Sequence, residues 1–220
     1  MNWLTKLLYF PLTVVFHPLL VMVILWLIFF SFNPYAFGFN DWSGTVLSAT
    51  SIRLFVGSTF LPALAIFLVR QLGLIENLSL NGIKERIVPL TIACLFYFWI
   101  YLNISENGSF PNYFQQAILG ICLSLLLSFF FVIFSRINLF ATSSVSLVTA
   151  FISSELGIHR YYFFMNGQAL LESHWVISVM VLVFGFYLSL RLYLGRNSMQ
   201  ETIAGIATGL GGQLIAAIIM

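Results

Sequence analysis

The sequence has few charged residues, since Asp, Glu, Lys and Arg make up only 7% of its 220 positions. A soluble domain carries about 25% charged residues, so this shortage excludes an ordinary water-soluble protein. The chain is instead apolar, with 60% hydrophobic residues and a mean hydropathy of +1.01. At about 20 residues per span, it has room for six or seven membrane helices and for no extramembrane domain. We therefore predict an all-α, polytopic transmembrane helix bundle, with residues 1–220 forming a single transmembrane domain.

Cysteine and histidine are also scarce. The two cysteines, Cys94 and Cys122, lie inside apolar runs without a CxxC spacing, which disfavours disulfide, metal and redox chemistry and favours core packing. The chain has only three histidines, and it shows no internal repeat of the kind on which many transporters are built. We expect no cofactor, no metal and no nucleic-acid partner.

Seven apolar runs predict the membrane helices. The fifth run contains six hydroxyl residues in its first fifteen positions, so we expect this helix to face other helices or a polar cavity and to lie centrally. The predicted spans are residues 7–32, 54–72, 87–104, 114–135, 139–158, 174–194 and 199–220.

The basic residues are unevenly distributed. If the helices alternate, seven of the nine Lys and Arg residues fall on the side that holds the N-terminus, and only Arg53 and Arg160 fall on the other side. The positive-inside rule would make the first side cytoplasmic. Alternatively, five of the seven lie beside the starts of helices 3, 5 and 7, where the helix dipole favours anions. If those five form an anion site, two basic residues remain on each side, so the positive-inside rule favours neither orientation and the orientation stays open. The seven are Lys6, Arg70, Lys84, Arg86, Arg136, Arg191 and Arg196.

Three short motifs contain these basic residues. They are Lys84-Glu-Arg-Ile-Val-Pro89, Arg136-Ile-Asn-Leu-Phe-Ala141, and the stretch from Arg191 to Glu201. In order and spacing they resemble the type 2 phosphatidic acid phosphatase superfamily of membrane lipid phosphatases, and helix alternation would place all three on one face. His17-Pro-Leu-Leu20 is similar to a branch of that superfamily associated with Bacteroidetes, and the glycine-bearing last helix is similar to the superfamily's ending. The resemblance implies a phosphatidic acid phosphatase-like fold in the bacterial inner (cytoplasmic) membrane.

The resemblance also implies roles for individual positions. The family's nucleophilic histidine aligns with Asn197 and its proton-donating histidine with Phe140, while Glu201 takes the place of the acidic residue that orients the nucleophile. An amide is not nucleophilic and a phenyl ring holds no transferable proton. We therefore predict a non-catalytic relative that binds an anionic lipid headgroup or serves as a subunit of a membrane assembly. The implied phosphate-binding residues are Lys84, Arg86, Arg136, Arg191 and Arg196.

Two alternatives remain open. The protein could be a working lipid-phosphate phosphatase that recruits a water held by Glu201, or a hydroxyl of helix 5, as its nucleophile. It could also be a small transporter with the hydroxyls of helix 5 along its pathway. The helix 5 hydroxyls in question belong to Thr142, Ser143, Ser144 and Ser146.

Several residues have structural interpretations. His17 precedes a proline within the first run, and we expect it to be neutral and hydrogen-bonded to a neighbouring helix. Ser198-Met-Gln-Glu201 fits a capping box at a helix start. Gly205 and Gly209, followed by Gly211-Gly212, favour close helix packing within the bundle. Residues 159–164 are typical of an aromatic belt at the membrane interface.

Overall fold

A computed structural model describes residues 3–38, 49–73, 83–106, 108, 110–157, 162–165 and 168–220. The described chain is almost entirely helical, as the long apolar runs predict. Its helices are α1 (Trp3–Val15), α2 (Val21–Phe32), α3 (Ala49–Phe55), α4 (Leu61–Gln71), α5 (Ile83–Glu106), α6 (Asn112–Phe134), α7 (Leu139–Gly157), α8 (Ser173–Tyr193) and α9 (Met199–Ile219).

Five helical segments are long and apolar enough to cross a membrane. Two more apolar helices are shorter, namely α2 and the Leu139–Glu155 part of α7. The predicted spans over 87–104, 114–135, 139–158, 174–194 and 199–220 correspond to α5, α6, α7, α8 and α9. The predicted span over 54–72 begins earlier, at Ala49, and contains a π-helical turn, Val56–Phe60, between α3 and α4.

The prediction of one continuous helix over residues 7–32 is wrong. The chain leaves the helix after Val15 and re-enters it at Val21, because Pro18 has no N–H to donate and disfavours helical geometry at His17. Hydroxyls from three other segments bond the carbonyls that the break releases. The pairs are Ser143 Oγ with Phe16 O (2.9 Å), Tyr97 OH with Pro18 O (2.6 Å) and Thr59 Oγ1 with Leu19 O (2.8 Å).

A short antiparallel hairpin departs from the all-α prediction. Strand β1 (Tyr162–Met165) pairs with β2 (Gln168–Glu172), and α8 follows directly. The predicted aromatic belt over residues 159–164 therefore falls partly in a strand, and its residues 159–161 lie outside the described residues.

The centre of the bundle is formed by α6, α7 and α9, which pack closely against one another. Glycines on α9 permit this approach, as predicted. A Cβ at Gly209 would lie 2.7 Å from Thr142 O, and one at Gly212 would collide with the Ser124 backbone. The prediction that helix 5 lies centrally is confirmed, because α7 is largely buried between its neighbours.

Candidate functional site

The third motif forms a tight turn between two helices. Arg191 lies in the last turn of α8, and the chain reverses through Gly195, whose φ of 62° suits glycine. Ser198 then caps α9: its Oγ accepts from the Glu201 N–H at 3.1 Å, and Glu201 Oε2 accepts from the Ser198 N–H at 3.2 Å. The predicted capping box is therefore confirmed. This turn brings Arg191, Asn197 and Glu201 to one end of the bundle.

Arg191 is held inside the bundle, with only 7% of its surface exposed. Its Nε–H donates to Asn197 Oδ1 at 2.9 Å, and Nη1 donates to Tyr187 OH at 2.9 Å and to Tyr9 OH at 3.2 Å. The guanidinium carbon also lies 4.0 Å from the centre of the Phe140 ring, a favourable cation–π distance. Three of the five guanidinium N–H groups thus have partners within the described chain, and the two on Nη2 do not.

Asn197 joins the arginine to the carboxylate. Its Oδ1 accepts from Arg191, and its Nδ2 donates to Glu201 Oε2 at 3.0 Å. An amide suits this position because one end of it is an acceptor and the other is a donor. Glu201 therefore closes the cap of α9 and ends a chain of hydrogen bonds that begins at Arg191.

Phe140 lies between two functional candidates. One face of its ring meets Arg191, and the His17 ring packs edge-on at a centroid distance of 5.7 Å. The His17 Nδ1 accepts from the Leu19 N–H at 3.3 Å, so its described hydrogen bond is local to the break. The predicted hydrogen bond from His17 to a neighbouring helix is not among the described contacts. His17 and Arg191 therefore contact the same Phe140 ring.

The other predicted basic residues are placed unequally. Arg86, half-buried near the start of α5, lies close enough to Arg136 and Glu201 for their charges to act on it. Arg136 is exposed in the turn before α7, and that turn is tied to α9 by the Asn138 N–H donating to Glu201 O at 3.1 Å. We call the group Arg86, Arg136, Arg191 and Glu201 the basic end.

For two predicted residues no side-chain contact with this group is described. Arg196 lies in the turn between α8 and α9, where its N–H donates to Arg191 O at 3.0 Å and its side chain is exposed. Lys84 belongs to the first turn of α5, and its side chain lies outside the described residues. His159 also lies outside the described residues. His174 lies in the first turn of α8, at the end of that helix opposite Arg191.

Sequence reasoning missed the two tyrosines that hold Arg191. Tyr187 precedes Arg191 by one helical turn, and this spacing of four residues could have identified it. Tyr9 comes from α1, 182 positions away, and carries no signal in the sequence that links it to this site.

The hydroxyl residues of α7 are buried between helices. Thr142 Oγ1 lies 3.0 Å from Thr208 Oγ1 on α9, and Ser144 Oγ donates to Phe140 O at 2.6 Å. Ser146 Oγ accepts from the Gln213 amide at 3.0 Å. Ser143 Oγ donates to Phe16 O at the break. The hydroxyls of Thr142, Ser143 and Ser146 therefore bond other segments, which supports the prediction that this helix faces other helices, whereas Ser144 bonds a carbonyl of its own helix.

Metal-binding groups are lacking in the part of the chain that the structure describes. No three of its His, Cys, Asp and Glu residues come together in a way that could hold a metal ion. Cys94 and Cys122 are both buried and unpaired as thiols.

The fold and the five long apolar segments define the class of the molecule as a multi-pass helical membrane protein. Comparison with protein-family models, with curated proteins and with solved structures found no match.

Proposed function

We propose that this protein is a non-catalytic relative of the type 2 phosphatidic acid phosphatases that binds the phosphate headgroup of an anionic lipid in a bacterial cytoplasmic membrane. One observation carries the proposal. Residues of all three motifs lie at the basic end: Arg86 is within range of the charges of Arg136 and Glu201, and Arg191 is linked to Glu201 through Asn197.

Charge favours an anion at this end. The basic end contains three arginines and one carboxylate, and that carboxylate is engaged by Asn197 and by the cap of α9. Arg191 contributes a preorganised donor pair, because its hydrogen bonds to Asn197, Tyr9 and Tyr187 hold the guanidinium in place and use none of the N–H groups on Nη2. Phosphate oxygens are the natural acceptors for a preorganised guanidinium.

The two positions that the resemblance assigns to histidines support loss of turnover. Asn197 and Phe140 both contact Arg191, one by a hydrogen bond and one by stacking. Neither can attack phosphorus or protonate a leaving alkoxide. The hydroxyls of Thr142, Ser143, Ser144 and Ser146 are buried and each is already hydrogen-bonded, so they are poor substitutes for a nucleophile.

A short-chain lipid tests the binding. Dihexanoyl phosphatidic acid, dihexanoyl phosphatidylcholine and inorganic phosphate would each be titrated into the purified protein by calorimetry. We expect phosphatidic acid to bind best, inorganic phosphate to bind more weakly and phosphatidylcholine not to bind. Hydrogen bonds to charged groups are worth about 1.5–3 kcal/mol, so Arg191→Gln should weaken phosphatidic acid binding about ten- to hundred-fold.

The controls separate the basic end from general surface charge. Arg86→Gln should also weaken binding, whereas Arg70→Gln, which removes an exposed arginine from the last turn of α4, should not. Equal affinities for phosphatidic acid and phosphatidylcholine would contradict the proposal, as would wild-type affinity in both Arg191→Gln and Arg86→Gln. Either result would show that the arginines only set the orientation of the helices in the membrane.

Phosphate release tests the loss of turnover. We expect the wild-type protein to release none from phosphatidic acid, phosphatidylglycerol phosphate or undecaprenyl pyrophosphate. Release that disappears in Glu201→Ala would establish a working phosphatase and contradict the proposal. Activity gained by the double variant Phe140→His/Asn197→His would support the alignment of motifs, and the absence of any gain would count against it.

A further inference from the structure

An open groove runs along the outside of the bundle, at the end away from Arg86, between α5 and the segment formed by α3, the π-helical turn and the first residue of α4. It encloses about 440 Å³, within the range of roughly 300–1,000 Å³ that is common for ligand sites. Ile52 and Trp99 are exposed on its walls, while Leu54 and Ile104 form buried parts of it. The remaining lining residues are Thr50, Arg53, Val56, Gly57, Leu61, Ile100, Asn103 and Phe110.

The π-helical turn creates the floor of this groove. Gly57 lies in that turn, and a Cβ there would be 3.0 Å from Ile100 Cδ1 and 3.6 Å from the Trp99 ring. The two segments therefore touch at Gly57. Towards Thr50 and Asn103 the space between them is not filled by side chains, and it forms the groove.

The groove is polar only at its mouth. Arg53 is exposed there, and Thr50 and Asn103 lie at the same end of their helices. From Thr50 to Leu61 the groove extends about 16 Å, at about 1.5 Å per residue. This is about half of the roughly 30 Å hydrocarbon core of a bilayer, the depth of one leaflet.

We propose that this groove binds an acyl chain of an anionic membrane lipid, with the headgroup held at Arg53. The apolar wall matches a single hydrocarbon chain that lies parallel to the helices, because an empty groove would forfeit the dispersion contacts of its lining. The guanidinium at the mouth matches a negative headgroup and disfavours a cationic one.

This site is separate from the basic end. The 17 residues from Arg86 to Asn103 place the two ends of α5 about 25 Å apart, at about 1.5 Å per residue. A lipid in the groove would therefore occupy the opposite leaflet from one bound at Arg191.

Native mass spectrometry of the detergent-purified protein tests the inference. The probes are phosphatidylglycerol and phosphatidylcholine with the same sixteen-carbon chains, added to the wild-type protein and to Arg86→Gln protein, so that failure of either site can be recognised. We expect one phosphatidylglycerol to remain bound in Arg86→Gln protein. Because a basic residue near a membrane surface is worth about 1 kcal/mol toward an anionic lipid, Arg53→Gln should weaken that binding about five-fold and leave phosphatidylcholine unchanged.

Filling the groove should act on both lipids. Val56→Trp places an indole in it, and Val56→Phe is a milder change should the larger one fail to fold; each should lower retention of both lipids at least five-fold. The matched controls are Leu68→Trp, at an exposed site on α4 outside the groove, and Arg70→Gln. The inference is wrong if phosphatidylglycerol and phosphatidylcholine bind equally, or if the Val56 variants retain as much lipid as Leu68→Trp.

Discussion

Gly212 is a position at which the backbones of α9 and α6 touch, and its replacement by alanine measures how much the bundle depends on that contact. The added methyl group would lie 2.5 Å from Ser124 Cα and would also collide with the Ser124 nitrogen and hydroxyl. Because backbone atoms cannot rotate away, the two helices must separate. Overpacking of this kind costs about 1–3 kcal/mol, against a gain of up to about 1 kcal/mol from the better helix former.

The neighbouring glycine is an internal control. A methyl group at Gly211 would meet only Leu127 Cδ1, at 3.3 Å, and this is the mobile end of a side chain. Gly211→Ala should therefore keep the helix gain without the collision. The two variants should differ by about 2 kcal/mol in the free energy of unfolding, which corresponds to roughly 4–8 °C in Tm for a chain of this length.

The assay is thermal unfolding in detergent, followed by tryptophan fluorescence at one fixed scan rate, because membrane proteins often unfold irreversibly. We expect Gly212→Ala to unfold a few degrees below the wild-type protein and Gly211→Ala to unfold at or slightly above it. Unfolding of both variants within 1 °C of each other would refute the close approach of α9 to α6.

Two further substitutions test other contacts by the same thermal assay. Tyr97→Phe removes the hydroxyl that bonds Pro18 O and should lower the free energy of unfolding by about 1–3 kcal/mol. The control is Tyr101→Phe, whose hydroxyl bonds no described residue and whose loss should be neutral. Equal Tm values for the two variants would contradict the role of Tyr97 at the break. Asn197→Leu removes the bridge from Arg191 to Glu201 and should cost a similar amount. Gln71→Leu, at an exposed amide at the end of α4, should have little effect, and a tolerated Asn197→Leu would argue against the bridge.

Helix positions could be predicted well where one physical term dominates. Long apolar runs specify spans, and the boundaries of α5, α6, α8 and α9 lie within about four residues of the prediction. The break at His17–Pro18 was missed because a 26-residue apolar run outweighed one proline. Hydropathy does not register that Tyr97, Ser143 and Thr59 can supply the hydrogen bonds that make a break tolerable in a membrane.

The sequence predicts several residues of the candidate site but not the hydrogen bonds that connect them. The spacing of the motifs predicts that Arg136, Arg191 and Glu201 approach one another, since helix alternation brings the helix starts to one side. It does not predict that Tyr9 and Tyr187 accept hydrogen bonds from Arg191. The Tyr9 contact spans 182 positions and depends on how α1 packs against α8. The phosphate-binding role of these arginines stays a prediction.

The break between α1 and α2 also constrains the order of assembly during synthesis. Its carbonyl partners are made late: Tyr97 follows Pro18 by 79 positions, and Ser143 follows Phe16 by 127. In hydrocarbon an unbonded carbonyl costs several kcal/mol, so the break that Pro18 imposes reaches its full stability only once α5 and α7 have entered the membrane. The segment around the break is therefore made before its partners but reaches its final shape only after them, and a chain truncated before Ser143 cannot complete the hydrogen bonds of the break.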